Sequence, residues 1–314
     1  MVALVLGLLV AAAAVASLIV ARQGFRSVDG GAQLRESARF AASLVERIVV
    51  QAGFENAAYG LITNPKEPGV RGYDNALVSA GTLPNGLASG TRTASNCGGF
   101  SDTSCMNGSD VLVLRYWGVS RGGSADGSMI NCAGVAEPEG VGADPRAYSI
   151  FHVARSTSGE PALGCTYRDP ATSAWTTVAL VQGVEGFQVL YGTDGVTPNV
   201  CATDPGAPTA VGVDTIPERY LHASQLDSAT GTYCANNWAR VRSVRVGLLV
   251  RGGVGSAVVR AATTWNVLSA AGAAYSFADP TNDIGSQLTT AADGRLRQQM
   301  AFTIHLRNAQ YSPQ

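Results

Sequence analysis

Residues 1–21 read MVALVLGLLVAAAAVASLIVA and contain no charged side chain and no proline. At 1.5 Å per residue, a helix of this length spans roughly 30 Å, the thickness of a bilayer hydrocarbon core. Arg22 is the first charge. A secretory signal peptide is the main alternative, because Ala14-Val15-Ala16 resembles a cleavage site, but no basic residue precedes the apolar run. The stretch therefore predicts a membrane-spanning helix.

The helical pattern continues over residues 22–53. Apolar residues recur there at spacings of three and four, with Phe40 and Leu44 widening the stripe; the recurring residues are Leu34, Ala38, Ala41, Val45, Ile48 and Ala52. Gly30-Gly31 costs on the order of 2 kcal/mol of helix propensity, which predicts a kink or a melted turn. We therefore expect a helix over residues 1–53, with an apolar half (1–21) and an amphipathic half (22–53) that packs on a globular head (54–314). A membrane anchor followed by a linker is the alternative.

Beyond Gly53 the apolar periodicity becomes that of strands. Val244, Val246, Leu248 and Val250 share one face of a half-buried strand, with Arg245 and Arg251 on the other. Near the C-terminus, Phe302, Ile304 and Leu306 alternate with polar residues. Further strands are predicted at residues 110–118, 148–155, 175–181 and 186–191, and loops rich in turn residues at 62–109, 121–146, 195–237 and 272–292. A long helix followed by strands predicts an α+β fold with a mainly antiparallel sheet and long loops.

Six cysteines lie beyond the apolar segment, and none forms a CxxC pair. Five fall in the predicted loops, and Cys165 lies in a turn-like context between strands. An even number of loop cysteines favours disulfides in an extracytoplasmic domain over zinc binding. Fifteen pairings are possible. We favour the sequential one, which pairs Cys97 with Cys105, Cys132 with Cys165, and Cys201 with Cys234.

Residue patterns that would indicate an enzyme are weak. The three histidines, His152, His222 and His305, are far apart, and no nucleophile elbow, HExxH or phosphate-binding motif occurs. His305 lies opposite the apolar face of its strand, which predicts an exposed position. Glu137 and Glu139 are interpreted as solvated loop charges. The sequence therefore predicts neither an enzyme nor a cofactor, and a hydrolase or sugar-binding domain is a minor alternative.

Polar and charged residues give little support for binding of calcium or nucleic acid. Asp279, Asn282 and Asp283 are weak calcium candidates, because their spacing does not match an EF-hand and such residues are common in turns. A net charge of −1 gives no reason to expect a nucleic-acid partner.

Six segments together resemble type IV pilins, and PilW-like minor pilins in particular. They are MVALVLGLLV (1–10), ESARFAASLVERIVVQAGF (36–54), GSDVLVLRYWG (108–118), GVEGFQVLYGTDG (183–195), VRSVRVGLLVR (241–251) and DGRLRQQMAFTIHLRN (293–308). The order and spacing of these blocks make the set more specific than any one block. Similar sequences have a glycine, a phenylalanine and a glutamate shortly before the position of Met1. Either these residues are encoded immediately upstream of Met1, or the chain is a degenerate member of the family.

The resemblance implies a minor pilin that helps to initiate pilus assembly or presents the filament tip. It implies an inner-membrane subunit with a periplasmic head before assembly and an extracellular one afterwards, with other pilins and a tip adhesin as partners. The apolar half of the helix would pack in the filament core through Leu4, Leu6, Gly7, Leu8, Leu9, Leu18 and Ile19. The alternatives are a minor pseudopilin of a type II secretion system and a major repeating subunit.

Overall fold

A computed structural model of the chain describes residues 2–55, 67–78, 83, 87–89, 107–140, 146–206, 216–257, 259–268 and 285–308. Its first element is a single helix, α1, at Val2–Val49. The helix continues through Gly30 and Gly31, so the turn predicted to melt there is helical. Gly30 faces the head, where an added Cβ would lie 3.0 Å from the Cβ of Ser256. Packing of the head against this position accounts for the glycine and compensates for its low helix propensity.

The rest of the described chain is mainly strands. The elements are β1 (Val70–Tyr73), β2 (Val111–Tyr116), β3 (Ser120–Arg121), β4 (Ser124–Ala125), β5 (Ala147–Arg155), β6 (Pro161–Arg168), β7 (Trp175–Gln182), β8 (Val184–Thr193), β9 (Arg219–Leu221), α2 (Ala223–Leu226), α3 (Ala235–Ala239), β10 (Val241–Arg251), β11 (Thr263–Asn266), β12 (Gln287–Thr290) and β13 (Arg297–His305). Helix first and strands afterwards is the α+β arrangement predicted from the sequence.

Two antiparallel sheets form the head. One has the strand order β1-β2-β5-β6-β7 and the other β13-β10-β8-β9, with two small hairpins, β3-β4 and β11-β12, beside them. In the second sheet β10 is central, because Val246 pairs with Phe302 of β13 on one side and with Val189 of β8 on the other. One hydrophobic cluster combines residues from both sheets with the second half of α1. The helix is therefore part of the core of the head.

Three details of the predicted head are wrong. Cys165 lies within strand β6 rather than in a turn, and Leu306 follows the end of β13. The stretches predicted as loops contain short elements, including β1, β9 and β12. These strands have three or four residues, too few for an alternating pattern to show in the sequence.

Candidate assembly surface

The first half of α1 has no contacts that shield its apolar side chains. Six large apolar residues of this half were predicted to pack in the filament core, and their side chains are between 50% and 77% exposed; they are Leu4, Leu6, Leu8, Leu9, Leu18 and Ile19. Gly7 is exposed as well, with open space where a side chain would be. Helix α1 is long and apolar enough to cross a membrane, judged by length and composition. An apolar surface of this size requires lipid or other protein chains around it.

The second half of α1 packs on the head along one face. All six residues of the predicted stripe are buried: Leu34, Ala38, Ala41, Val45, Ile48 and Ala52. Leu44 is partly buried against the same cluster, whereas Phe40 is 53% exposed and lies outside the docked face, so its assignment to the stripe is wrong. Because the helix is continuous and docked, a membrane anchor joined to the head by a linker does not describe this chain.

Polar contacts fix the C-terminal end of α1. The side chain of Asn308 donates to the carbonyls of Val50 and Ala52 at 3.3 and 3.1 Å. The side chain of Gln51 accepts from the N–H of Ile130 at 3.1 Å and donates to its carbonyl at 3.4 Å. The apolar half of the helix therefore projects from a rigid body.

At the opposite end of the docked segment, charged residues join strands of both sheets. Three arginines and three carboxylates take part: Arg251, Arg295, Arg297, Glu160, Glu185 and Asp293. Arg251 bridges Glu160 at 2.6 Å and Glu185 at 3.5 Å, and Arg295 contacts Glu160 at 3.0 Å. We call this end of the head its base. Sequence reasoning missed the network because Glu160 and Glu185 lie 66 to 135 positions from the arginines that they contact; only Asp293 and Arg297 are close in sequence, four positions apart.

Four of the six cysteines lie in the described residues, and they form two disulfides. Cys132 is bonded to Cys165, with Cα atoms 5.7 Å apart, and Cys201 to Cys234, with Cα atoms 5.1 Å apart. These are the pairs that sequential pairing gives. Each bond joins residues 33 positions apart and so restricts the unfolded chain. Cys97 and Cys105 lie outside the described residues.

One group of residues superficially resembles a catalytic triad. His222 Nδ1 lies 2.8 Å from Asp74 Oδ2 and 3.0 Å from the hydroxyl of Ser224. A triad histidine uses one ring nitrogen for the nucleophile and the other for the carboxylate. Here both partners meet the same nitrogen, and the Ser224 hydroxyl donates directly to Asp74 at 2.8 Å. Asp74 also accepts the backbone N–H groups of Ala223 and Ser224 at 3.0 and 2.8 Å. The cluster therefore caps the start of α2.

Two other titratable groups have structural roles. His152 is buried in β5, and its Nε2 lies 2.8 Å from the hydroxyl of Thr166; burial lowers the pKa of its imidazole to about 4. Glu137 is buried and accepts a hydrogen bond from the Asn131 amide at 2.7 Å. Burial raises the pKa of the Glu137 carboxyl to about 7, so its interpretation as a solvated charge is wrong. His305 is exposed on β13, which forms one edge of its sheet, as expected.

Among the described residues, no group of three or more histidine, cysteine, aspartate or glutamate side chains could hold a metal ion. The weak calcium candidates, Asp279, Asn282 and Asp283, lie outside the described residues.

A long helix with an exposed apolar first half, docked by its second half on a disulfide-bonded antiparallel head, defines a type IV pilin-like protein. Comparison with protein families gives a match to the family described as type IV pilus-assembly protein W, over residues 150–308. This match spans just over half of the chain, from β5 to the residues after β13. The chain belongs to the PilW family.

Comparison with solved structures gives a match to the type IV-like pilin TTHA1219 from Thermus thermophilus. The match covers 88% of this chain and 98% of that one, with 12% sequence identity and a TM-score of 0.40. No curated protein sequence matches the chain.

Proposed function

We propose that this protein is a minor pilin, a structural subunit that helps to initiate a type IV pilus or presents its tip. The observation that carries the proposal is the exposed apolar half of α1, which projects from a head to which the second half of the same helix is firmly docked. A signal peptide or a simple anchor has no need of this rigid connection. In a filament, by contrast, a rigid connection between helix and head fixes the position of each head relative to the helices in the filament core.

In this proposal, the apolar half of α1 is surrounded first by lipid and then by other pilin helices. Before assembly, the helix lies in the inner membrane, where its backbone hydrogen bonds are satisfied internally and its leucines contact lipid. During assembly, other pilin helices replace the lipid. Close approach between helices is favoured by small side chains, which this segment provides at Gly7, Ala11, Ala12, Ala13, Ala14 and Ala16.

The head has features suited to an exported subunit. Its two described disulfides form and persist in oxidising compartments, so they support a periplasmic position before assembly and an extracellular one afterwards. Other pilins are the expected partners of the helix, and a tip adhesin is the expected partner of the head. The role is structural, without catalysis.

The proposal can be tested by deleting the gene in the source bacterium and counting surface pili by electron microscopy. We expect a large loss of pili, restored by a plasmid copy of the gene. In sheared filaments from the complemented strain, quantitative mass spectrometry should find this chain far below the abundance of the main pilin.

The alternatives give different results in the same experiment. Near-equimolar abundance in the filament would identify a major subunit. Normal pili together with a loss of protein secretion would identify a pseudopilin of a type II secretion system. Normal pili and normal secretion would contradict an assembly role.

A further inference from the structure

One face of α1 stays apolar beyond the end of the apolar run. Residues 22–33 read RQGFRSVDGGAQ and are otherwise polar, charged or glycine. Two large apolar side chains stand out in this segment, Phe25 at 77% exposure and Val28 at 72%. They belong to a stripe with alternating spacings of three and four residues. We call this stripe the seam, and it consists of Leu18, Ala21, Phe25, Val28 and Ala32.

The seam faces away from the head. Leu34 is the first residue of α1 that the head buries. It follows Phe25 by nine residues, which is about two and a half helical turns, so the two side chains lie on opposite faces. Ser27 and Gly30, which are half-buried, lie on the Leu34 side. The described part of the head therefore leaves the seam uncovered, and an uncovered apolar stripe is typical of a contact surface.

The chemistry of the seam favours another helix over lipid. Three charged residues, Arg22, Arg26 and Asp29, alternate with the seam, and charged side chains are costly in the hydrocarbon core of a bilayer. A lipid-facing segment is apolar on every side, as residues 1–21 are. Residues 22–33 instead confine their large apolar side chains to one narrow stripe, the pattern through which two helices pack side by side.

Two glycines beside the seam support a close contact between helices. Gly24 and Gly31 are seven residues apart and lie on one face of α1, next to Val28. Glycine lowers helix propensity. Gly30 is explained by the approach of Ser256, but neither Gly24 nor Gly31 has a described atom within 4 Å of the place where a Cβ would be. A missing side chain here does nothing for this chain alone, whereas it lets the backbone of a neighbouring helix come close.

The seam also continues a row of the apolar half. The same steps of three and four residues run back from Leu18 along the segment that is expected to pack in the filament core, through Leu4, Gly7, Ala11 and Ala14. Helix α1 is continuous across the boundary between the two segments. A helix that packs along this row therefore reaches the seam as well.

We propose that the seam binds the N-terminal helix of another pilin subunit in the assembled filament. The seam faces water before assembly and is covered when the filament forms, so its burial favours the filament over the membrane-held state. The inference rests on the proposed function, since it requires that this chain enters a filament with other pilins. It adds a contact in which helix replaces water rather than lipid.

Photo-crosslinking tests which molecule covers the seam. The photoreactive amino acid p-benzoylphenylalanine replaces Phe25 in the full chain, the gene is expressed in the deletion strain, and sheared filaments are irradiated. We expect mass spectrometry to find position 25 joined to the N-terminal helix of another pilin. The same replacement at Gln23, about 160° around the helix from Phe25, should give no such adduct. An adduct of position 25 with lipid, with a pilin head or with a second copy of this chain would overturn the proposal, as would no adduct.

A charge in the seam tests whether the contact matters for assembly. Val28→Asp places a carboxylate in the seam, and Gln23→Asp places one outside it in the same exposed segment. Because an unpaired buried carboxylate is costly, we expect Val28→Asp to lower the ratio of chain in sheared filaments to chain in the membrane fraction by about tenfold or more. Gln23→Asp should leave this ratio unchanged, and equal ratios for the two variants would contradict the proposal.

The natural chain separates failure of this inference from failure of the proposed function. If the natural chain is present in sheared filaments but both experiments give the contrary results, the seam is not an interface, while the role as a pilin stands. If the natural chain is absent from filaments, both proposals are wrong.

Discussion

Replacing Glu185 by alanine will lower the free energy of unfolding of the head by about 3 kcal/mol or more. Glu185 is 4% exposed. One of its carboxylate oxygens accepts a hydrogen bond from Arg297 Nε, and the other lies 3.5 Å from Arg251 Nη1. The side chain of Arg297 is 6% exposed. Without this carboxylate, Arg297 keeps Asp293 and Arg251 keeps Glu160 as partners, so three arginines face two carboxylates. The one uncompensated positive charge has little access to water, which costs more than the lost contact alone.

Glu160→Ala is the matched control, because this carboxylate belongs to the same network and also contacts Arg251. Its side chain is 34% exposed, so solvent screens its interactions and we expect a loss of under about 1 kcal/mol. Both variants can be compared by chemical denaturation of the detergent-solubilised chain, followed by tryptophan fluorescence. Equal losses for Glu185→Ala and Glu160→Ala would show that burial does not determine the strength of this network.

Val45→Asp is expected to detach the second half of α1 from the head. Val45 is fully buried in the helix–head interface, and an unpaired carboxylate there costs several kcal/mol. Undocking is the less costly response, and it exposes the helix backbone. The exposed arginines on this segment, Arg35, Arg39 and Arg47, then become trypsin sites. We expect limited proteolysis to cleave the variant much faster than the natural chain, with fragments ending at these arginines.

Phe40→Asp is the control for this prediction. It introduces the same carboxylate on the same helix but outside the docked face, at a side chain that is 53% exposed. Trypsin should cleave this variant at the rate of the natural chain. Rapid cleavage of both variants would mean that aspartate destabilises the helix itself, and slow cleavage of both would mean that Val45 does not lie in a tightly packed interface.

Sequence periodicity predicted the docked face of α1 well, because helix geometry is local. All six residues that the spacing from Leu34 to Ala52 placed in the stripe are buried. Phe40, which was added to widen the stripe, is exposed. The continuous helix at Gly30 could not be predicted, because its explanation is the approach of Ser256, more than 200 positions away. A glycine that looks unfavourable in the local sequence is required by a distant contact.

Strand β6 was missed for a related reason. Gly164 suggested a turn, but a Cβ at this position would lie 2.9 Å from that of Ala154 and 3.1 Å from Cε1 of His152 on the neighbouring strand. Glycine within a strand often marks such a close approach. The charge network at the base was also invisible, because its arginines and carboxylates come together only when the two sheets pack. The sequence therefore predicted the assembly helix but not the contacts that fix its direction.

In the proposed function, the apolar half of α1 makes this chain a pilus subunit. The most direct test is a variant that lacks residues 2–21 and is exported behind a cleavable signal peptide, expressed in the deletion strain. The head should fold and form its disulfides in the periplasm, since these residues make no contribution to its core. We predict that this head is absent from sheared filaments and that pili are not restored. Restoration of normal pili by the truncated chain would contradict the account.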